Sequence, residues 1–168
     1  MTSARSEEFL AVLEGHKGII YKIANAYAKE PEIRKDLAQE IILQLWKSFD
    51  NYDPQFKHST WIYKVSLNVA LAFTRKEQNR KRLLDPLIEN LTDFSAQDEQ
   101  GDRELEFQQL HQFIRELKAM DRAILLLYLE EKSQKEMAEI IGITQTNIST
   151  RIGRIKTTLK QKFDQLKT

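Results

Sequence analysis

A single glycine between two apolar helical patterns fixes much of what the last third of this chain can be. Residues 133–156 read SQKEMAEIIGITQTNISTRIGRIK. Ser133 and Glu136 stand in the S-x-x-E order of a capping box, which gives the free N–H groups at a helix start an acceptor. Met137, Ala138, Ile140 and Ile141 supply that helix with an apolar face. Gly142 sits where the chain leaves the helix through a left-handed residue, a conformation glycine adopts without a Cβ clash. Ile143 plugs the turn, and Thr144 is placed to cap a second helix. Ile148, Ile152, Ile155, Leu159, Phe163 and Leu166 continue at helical spacing. Small Ala138 at the crossing, Gly142 at the bend and Ile148 beyond it form the pattern of a helix-turn-helix. The competing reading is an ordinary helical hairpin.

The outward face of the second helix separates the two. At 100° per residue, Thr146, Ser149, Thr150, Gly153 and Thr157 point away from the apolar spine. Arg151 and Arg154 flank them. A merely solvated face is rich in long charged side chains. A face that enters the major groove uses short donors and acceptors, with arginines at its edges for phosphates.

The distribution of charge divides the chain. Its 168 residues carry a net charge of +1. Residues 1–84 contribute +4, residues 85–116 contribute −7, and residues 117–168 contribute +4. Two basic lobes are therefore joined by an acidic connector. There is no cysteine, which excludes disulfides and thiolate metal sites. Apolar runs are too short to span a membrane, and MTSARSEEF is no signal peptide. The expected setting is intracellular and soluble, without membrane insertion.

The first lobe reads as three helices. Residues 6–29 carry Phe9, Leu10, Leu13, Ile19, Ile20, Ile23, Ala24 and Tyr27, with Gly15 and Gly18 as a possible bend. Pro31 suits the first turn of a second helix that runs to about Phe49. Its stripe is Ile33, Leu37, Ile41, Leu45 and Phe49, with Ala38 and Ile42 beside it. Asp36, Gln39, Glu40, Leu43 and Lys47 lie on the opposite side. After a turn at 51–54, Ser59 is placed to cap a third helix reaching about Lys81. Ile62, Ser66, Val69 and Phe73 give its inner face; Trp61, Lys64, Asn68 and Arg75 share the other. An outward Trp beside Lys and Asn offers a stacking surface for unpaired bases, walled by Phe56 and His58. The plainer alternative is a Trp packed into the core. Residues 83–104 lose periodicity. Helices are then expected near 105–117, along Phe107, Leu110, Phe113, Ile114 and Leu117, and from Asp121 to Glu130. No strand signal occurs. The expected fold is all-α, with small helical domains at 1–82 and 105–168 joined by a flexible acidic linker at 83–104.

DLAQEIILQLW at 36–46 and FKHSTWIYKVSLNVA at 56–70 together resemble region 2 of bacterial RNA polymerase sigma factors. Residues 117–159 resemble region 4 of the same family, and the short two-part chain is similar to its extracytoplasmic-function (ECF) group. The resemblance implies roles for faces already described. Asp36, Gln39, Glu40 and Leu43 match the motif that docks on the clamp helices of the polymerase largest subunit. Phe56, His58, Trp61, Lys64, Asn68 and Arg75 match the surface that engages the opened −10 element. Thr146, Ser149, Thr150, Arg151, Gly153 and Arg154 match the recognition helix that reads the −35 element. Core RNA polymerase (clamp helices and flap region), promoter DNA and an anti-sigma factor are the implied partners. No cofactor, metal or catalytic residue is implied. Two departures stand out. Ile41-Ile42 replaces the bulky Phe common after the Gln-Glu pair, and Gly153 replaces a larger side chain.

Two other classes fit parts of the sequence. A free-standing helix-turn-helix regulator would use only the C-terminal half. A metal-dependent nucleic-acid enzyme would use Asp36, Glu40, Asp50 and Asp53. His16, His58 and His111 show no ligand spacing to support it.

Overall fold

A computed structural model describes residues 3–88 and 102–166, with side chains placed for 3–80, 105 and 108–166. The described residues form seven α-helices and one 3-10 turn, joined by short loops: α1 Ser3–Tyr27, α2 Pro31–Ser48, a turn at Phe49–Asn51, α3 His58–Ile88, α4 Asp102–Glu116, α5 Ala119–Leu129, α6 Gln134–Ile141 and α7 Gln145–Leu166. No strand occurs among them. Of the expected linker, 83–88 form the end of α3 and 102–104 the start of α4. Residues 89–101 lie outside the described residues, as does the side chain of Phe107.

The helix ends follow local chemistry. Pro31 opens α2, where its missing N–H has no partner to lose. The Ser133 hydroxyl accepts the Glu136 N–H at 3.1 Å and starts α6. Gly142 ends α6 at φ +85, and its N–H donates to the Ala138 carbonyl at 2.8 Å. The Thr144 hydroxyl accepts the Asn147 N–H at 3.1 Å and starts α7. Three boundaries differ from expectation. Helix α3 begins at His58, ahead of Ser59, because the Trp61 N–H already reaches the Lys57 carbonyl at 3.2 Å. It also continues past Lys81 to Ile88. Helix α5 begins at Ala119, so Asp121 lies in its first turn, where a carboxylate is favoured by the helix dipole. Neither Gly15 nor Gly18 interrupts α1.

Helices α1, α2 and α3 pack against one another, and α5, α6 and α7 do the same. Leu37, Ile41 and Leu45 of α2 are fully buried, as the stripe requires. In the second group Ile124, Leu127, Met137, Ile140 and Ile148 fill the centre. Leu10, Leu129 and Leu166, apolar positions in the sequence pattern, stand more than half exposed instead. The larger surprise is in α3. Besides Ile62 and Ser66, it buries Tyr63, Leu67 and Ala70. These recur at helical spacing on a second face, and Tyr63 lies under the Lys132 ammonium at 5.4 Å. Helix α6 packs on α3, so one continuous apolar core runs through both halves.

Polar contacts also cross between the halves. The Tyr27 hydroxyl donates to the Ala119 carbonyl at 2.7 Å. Arg122, only 9% exposed, donates to the carbonyls of Ile114, Arg115, Leu117 and Ala26. Lys22 pairs with Glu130 at the surface. Burial lowers the Arg122 pKa, and burial raises that of Tyr27 against the opposing pull of Arg122.

Two predictions follow from this packing. The Ser66 hydroxyl is fully buried and has no hydrogen-bond partner. Replacing it with Ala removes an unsatisfied polar group, so Ser66→Ala should raise unfolding stability by about 1 kcal/mol in urea titration. The Tyr63 phenol is pushed up to about 12, by burial first and by Glu130 second. An unfolded tyrosine ionises near ~10. The folded value is the higher one, so the contribution of neutral Tyr63 is complete below about pH 10 and is lost as pH rises toward 12. Tyrosinate absorbance and helical circular dichroism should therefore change together in that window.

Candidate nucleic-acid interface

Helix α7 is held by its apolar side and leaves the other free. Ile148, Ile152 and Ile155 are buried, whereas Thr146, Ser149, Thr150, Gly153 and Arg154 are all exposed. The Thr150 hydroxyl donates to the Thr146 carbonyl at 3.0 Å, and Thr157 repeats this toward Gly153 at 3.0 Å. Each hydroxyl oxygen keeps its acceptor capacity facing outward. A Cβ built on Gly153 would meet nothing within 4 Å, so nothing inside the chain requires glycine there.

Arg151 behaves differently from its neighbours. Its guanidinium donates to Asp121 at 3.0 Å and to Asn147 at 2.9 Å. Asp121 belongs to α5, so this pair fixes how the outward helix sits on the one behind it. The sequence pattern placed Arg151 and Arg154 alike at the edges of the face; only Arg154 is exposed there.

The second surface is an aromatic cluster at the start of α3. The His58 ring stacks on Tyr52 at 4.8 Å, and Trp61 lies 5.2 Å from Tyr52 and 6.0 Å from Phe49. Trp61 is half-buried, so it serves the core and the surface at once. The loop before it is braced. The Tyr52 hydroxyl donates to the Phe56 carbonyl, and the Asp53 carboxylate accepts the Gln55 N–H at 3.0 Å. Phe56 is left 44% exposed at the loop's tip. Lys64, Asn68 and Arg75 are exposed along the same helix. Phe49, expected only as the end of the α2 stripe, and Tyr52, expected only in the turn, join this cluster; aromatics at 49, 52, 56, 58 and 61 crowd the stretch.

The third surface is the outer side of α2. Asp36, Gln39, Glu40 and Leu43 are exposed there, and the Glu40 carboxylate accepts the Gln44 side-chain N–H at 3.0 Å. A groove of about 540 Å³ separates α2 from α3. Glu40 and Gln44 form one wall, Asn68 and Lys76 the other, and Val65, Val69 and Phe73 the floor. The acidic strip and the basic face of α3 thus share an edge, which no spacing in the sequence indicates. Among the described residues, no group of three or more His, Asp or Glu side chains is arranged to hold a metal ion. Asp50 is paired with Arg5. No described helix is long and apolar enough to cross a membrane.

Comparison with known proteins assigns both halves. The description of Sigma-70 region 2 matches residues 12–80, and that of Sigma-70 region 4 matches residues 107–159, together more than two thirds of the chain. The RNA polymerase sigma factor SigV of Bacillus subtilis is 28% identical over 140 residues, covering 83% of this chain and 81% of that protein. The ECF RNA polymerase sigma factor SigM of the same organism is 25% identical over 147 residues, covering 87% and 89%. The solved structure of the sigma factor RpoE in complex with the anti-sigma factor NepR from Bartonella quintana superposes with a TM-score of 0.66 at 19% identity, covering 95% of this chain and 96% of that one. The chain belongs to the sigma-70 family of RNA polymerase sigma factors, in its extracytoplasmic-function group. It is a subunit that binds core RNA polymerase and directs initiation at promoters.

The contrast between the two arginines of α7 is testable. Arg151→Ala breaks a partly buried pair and should lower stability by about 0.5–1 kcal/mol in denaturant titration. Arg154→Ala should leave stability within about 0.5 kcal/mol of the parent and weaken duplex binding across all sequences.

Proposed function

We propose that the two halves divide promoter recognition between them on a single tether to polymerase. The C-terminal half, residues 105–168, reads the −35 duplex with the small polar face of α7. Thr146, Ser149 and Thr150 face base edges, Gly153 allows approach, and Arg154 takes phosphate. Arg151 acts by holding α7 on α5 through Asp121. The N-terminal half, residues 1–82, captures the opened −10 element. Trp61 and His58 stack, Phe56 walls the loop, and Lys64, Asn68 and Arg75 follow the strand. Asp36, Gln39, Glu40 and Leu43 dock on the clamp helices of the polymerase largest subunit, and the C-terminal half engages the flap region.

The observation that carries this reading is the order of the two matched regions, each presenting an unpartnered face of the right chemistry. Small hydroxyls on α7 suit a major groove. Aromatics with interleaved basic residues on α3 suit unpaired bases. Neither half needs high affinity alone. Attachment to one polymerase raises the effective concentration of the second contact once the first is made. Capture of unpaired bases by the N-terminal half then shifts the population toward melted DNA. The chain itself performs no bond-making step, and it works in the cytoplasm beside polymerase. An anti-sigma factor is a further partner, on the analogy of RpoE and NepR.

In vitro transcription with core polymerase on a promoter library, read by sequencing, tests the whole reading. Promoter-selective transcripts that require this chain support it. Tight, sequence-specific duplex binding by the chain without core would favour a free-standing regulator instead. Asp36→Arg or Glu40→Arg should weaken pull-down of core polymerase while leaving helical content intact; unchanged pull-down would remove the docking assignment. Ser149→Ala should alter base preference in the −35 element. An equal loss over all −35 sequences would deny it a reading role.

A further inference from the structure

Asn147 is an exposed residue of α7 that the outward row of small side chains leaves out. It follows Thr146 and stands one helical turn before Thr150 and Arg151. At 3.6 residues per turn it projects about 60° from Thr150 and about 20° from Arg154, so it lies on the arginine edge of the proposed duplex face. Its backbone is held by the cap that starts the helix, where the Asn147 N–H donates to the Thr144 hydroxyl at 3.1 Å.

The side chain is held as well. The Arg151 Nε donates to the Asn147 Oδ1 at 2.9 Å, and Nη1 of the same guanidinium donates to Asp121 at 3.0 Å. Two exposed side chains four residues apart on a helix interact only weakly by themselves. This pair is anchored from behind, because Asp121 belongs to α5 and the side chains of Arg151 and Asp121 are only 29% and 24% exposed. A guanidinium carries donors and no acceptor, so the amide atom facing it must be the oxygen. The three residues therefore form a chain, Asp121 to Arg151 to Asn147, that turns the amide oxygen toward α5 and leaves the NH2 as the outer end.

That orientation limits what Asn147 can read. An unconstrained Asn presents oxygen and NH2 side by side, the pair that matches the N6 amino group and N7 of adenine. With its oxygen turned inward, Asn147 can only donate. Guanine O6 and N7 and thymine O4 accept such a donor, whereas the cytosine N4 amino group repels it. A phosphate oxygen would also accept, but a phosphate contact gains from charge, which Arg154 on the same edge supplies. Fixing the direction of a neutral amide matters for a base edge, where donor and acceptor must be told apart. We propose that Asn147 is a further specificity-determining residue of the −35 contact, aimed as a donor by Arg151, which Asp121 holds in place. Arg151 and Asp121 are positioning residues. The proposal rests on the assignment of α7 to the −35 element.

The test uses the chain assembled with core polymerase on a promoter library randomised across the −35 element, with transcripts read by sequencing. At one position the parent should favour guanine or thymine over cytosine by roughly two- to tenfold, the range of one hydrogen bond. Asn147→Ala should flatten the preference at that position and leave the others unchanged. Arg151→Met keeps the aliphatic stem and removes every donor, which frees the amide to present its oxygen. Adenine should then gain by roughly two- to tenfold at the same position. The gain should vanish in the double variant Arg151→Met with Asn147→Ala, a dependence that lost helix packing alone would not produce. Preferences unchanged by Asn147→Ala, or an equal loss over all −35 sequences, overturn the reading role. A loss in Arg151→Met that is even across sequences overturns the aiming, since a purely structural arginine acts in that way. Absence of any −35 preference in the parent overturns the assignment of α7 itself, so that failure is distinguishable from the others.

Discussion

The structure depends on one helix having two buried sides. Helix α3 packs against α1 and α2 on one flank and against α6 on the other. An amphipathic helix at a domain surface normally buries a single stripe. Here Tyr63, Leu67 and Ala70 add a second, and the apolar core becomes continuous between the halves. What remains of the circumference of α3 is a narrow strip of Lys64, Asn68 and Arg75 beside a half-buried Trp61. The proposed nucleic-acid face projects from a helix that packing holds on both flanks. The same arrangement places Asn68 across a groove from Glu40, so that a partner on α2 and a strand on α3 would be close neighbours.

Elements with local causes were legible in the sequence, and contacts with distant causes were not. Ser133, Gly142 and Thr144 each act within three or four residues, and each does in the structure what its chemistry requires. The α2 stripe of Leu37, Ile41 and Leu45 needed only a period of 3.6. The second face of α3 is hard to read from sequence because Tyr63, Leu67 and Ala70 lie between the Ile62–Phe73 stripe and the polar side of Lys64 and Asn68. Arg122 was invisible for a different reason. Its acceptors are backbone carbonyls of α1 and α4, and a carbonyl carries no side-chain signature. Arg151 and Arg154 are alike in the sequence; what separates them is Asp121 on α5, 30 residues away.

Polar burial among the described residues follows one rule. The charge that lies deepest, Arg122, has no carboxylate partner among its hydrogen bonds and is neutralised instead by helix-end dipoles. Carboxylate pairs such as Lys22–Glu130 and Arg151–Asp121 occur nearer the surface. The distinction has mechanical meaning. A buried ion pair resists separation because each charge is stranded when the other leaves. A guanidinium on carbonyls strands less, since its partners are neutral and water replaces them readily.

In the reading of α7 proposed above, Gly153 argues against a face built for affinity. Glycine inside a helix costs about 1 kcal/mol relative to alanine. Nothing in the chain offsets that, because a Cβ at this position would meet no atom within 4 Å. Its neighbours Ser149 and Thr150 are short as well, and Thr150 already spends its proton on the Thr146 carbonyl. A regulator that bound DNA unaided would gain from long, donor-rich side chains at these places. A subunit delivered by polymerase has the opposite need. Its upstream contact must discriminate between sequences while remaining weak enough to release when transcription moves forward. On that view the missing side chain at 153 is consistent with a face that approaches the duplex closely and holds it lightly. In the reading proposed above, discrimination is assigned to the hydroxyls beside it.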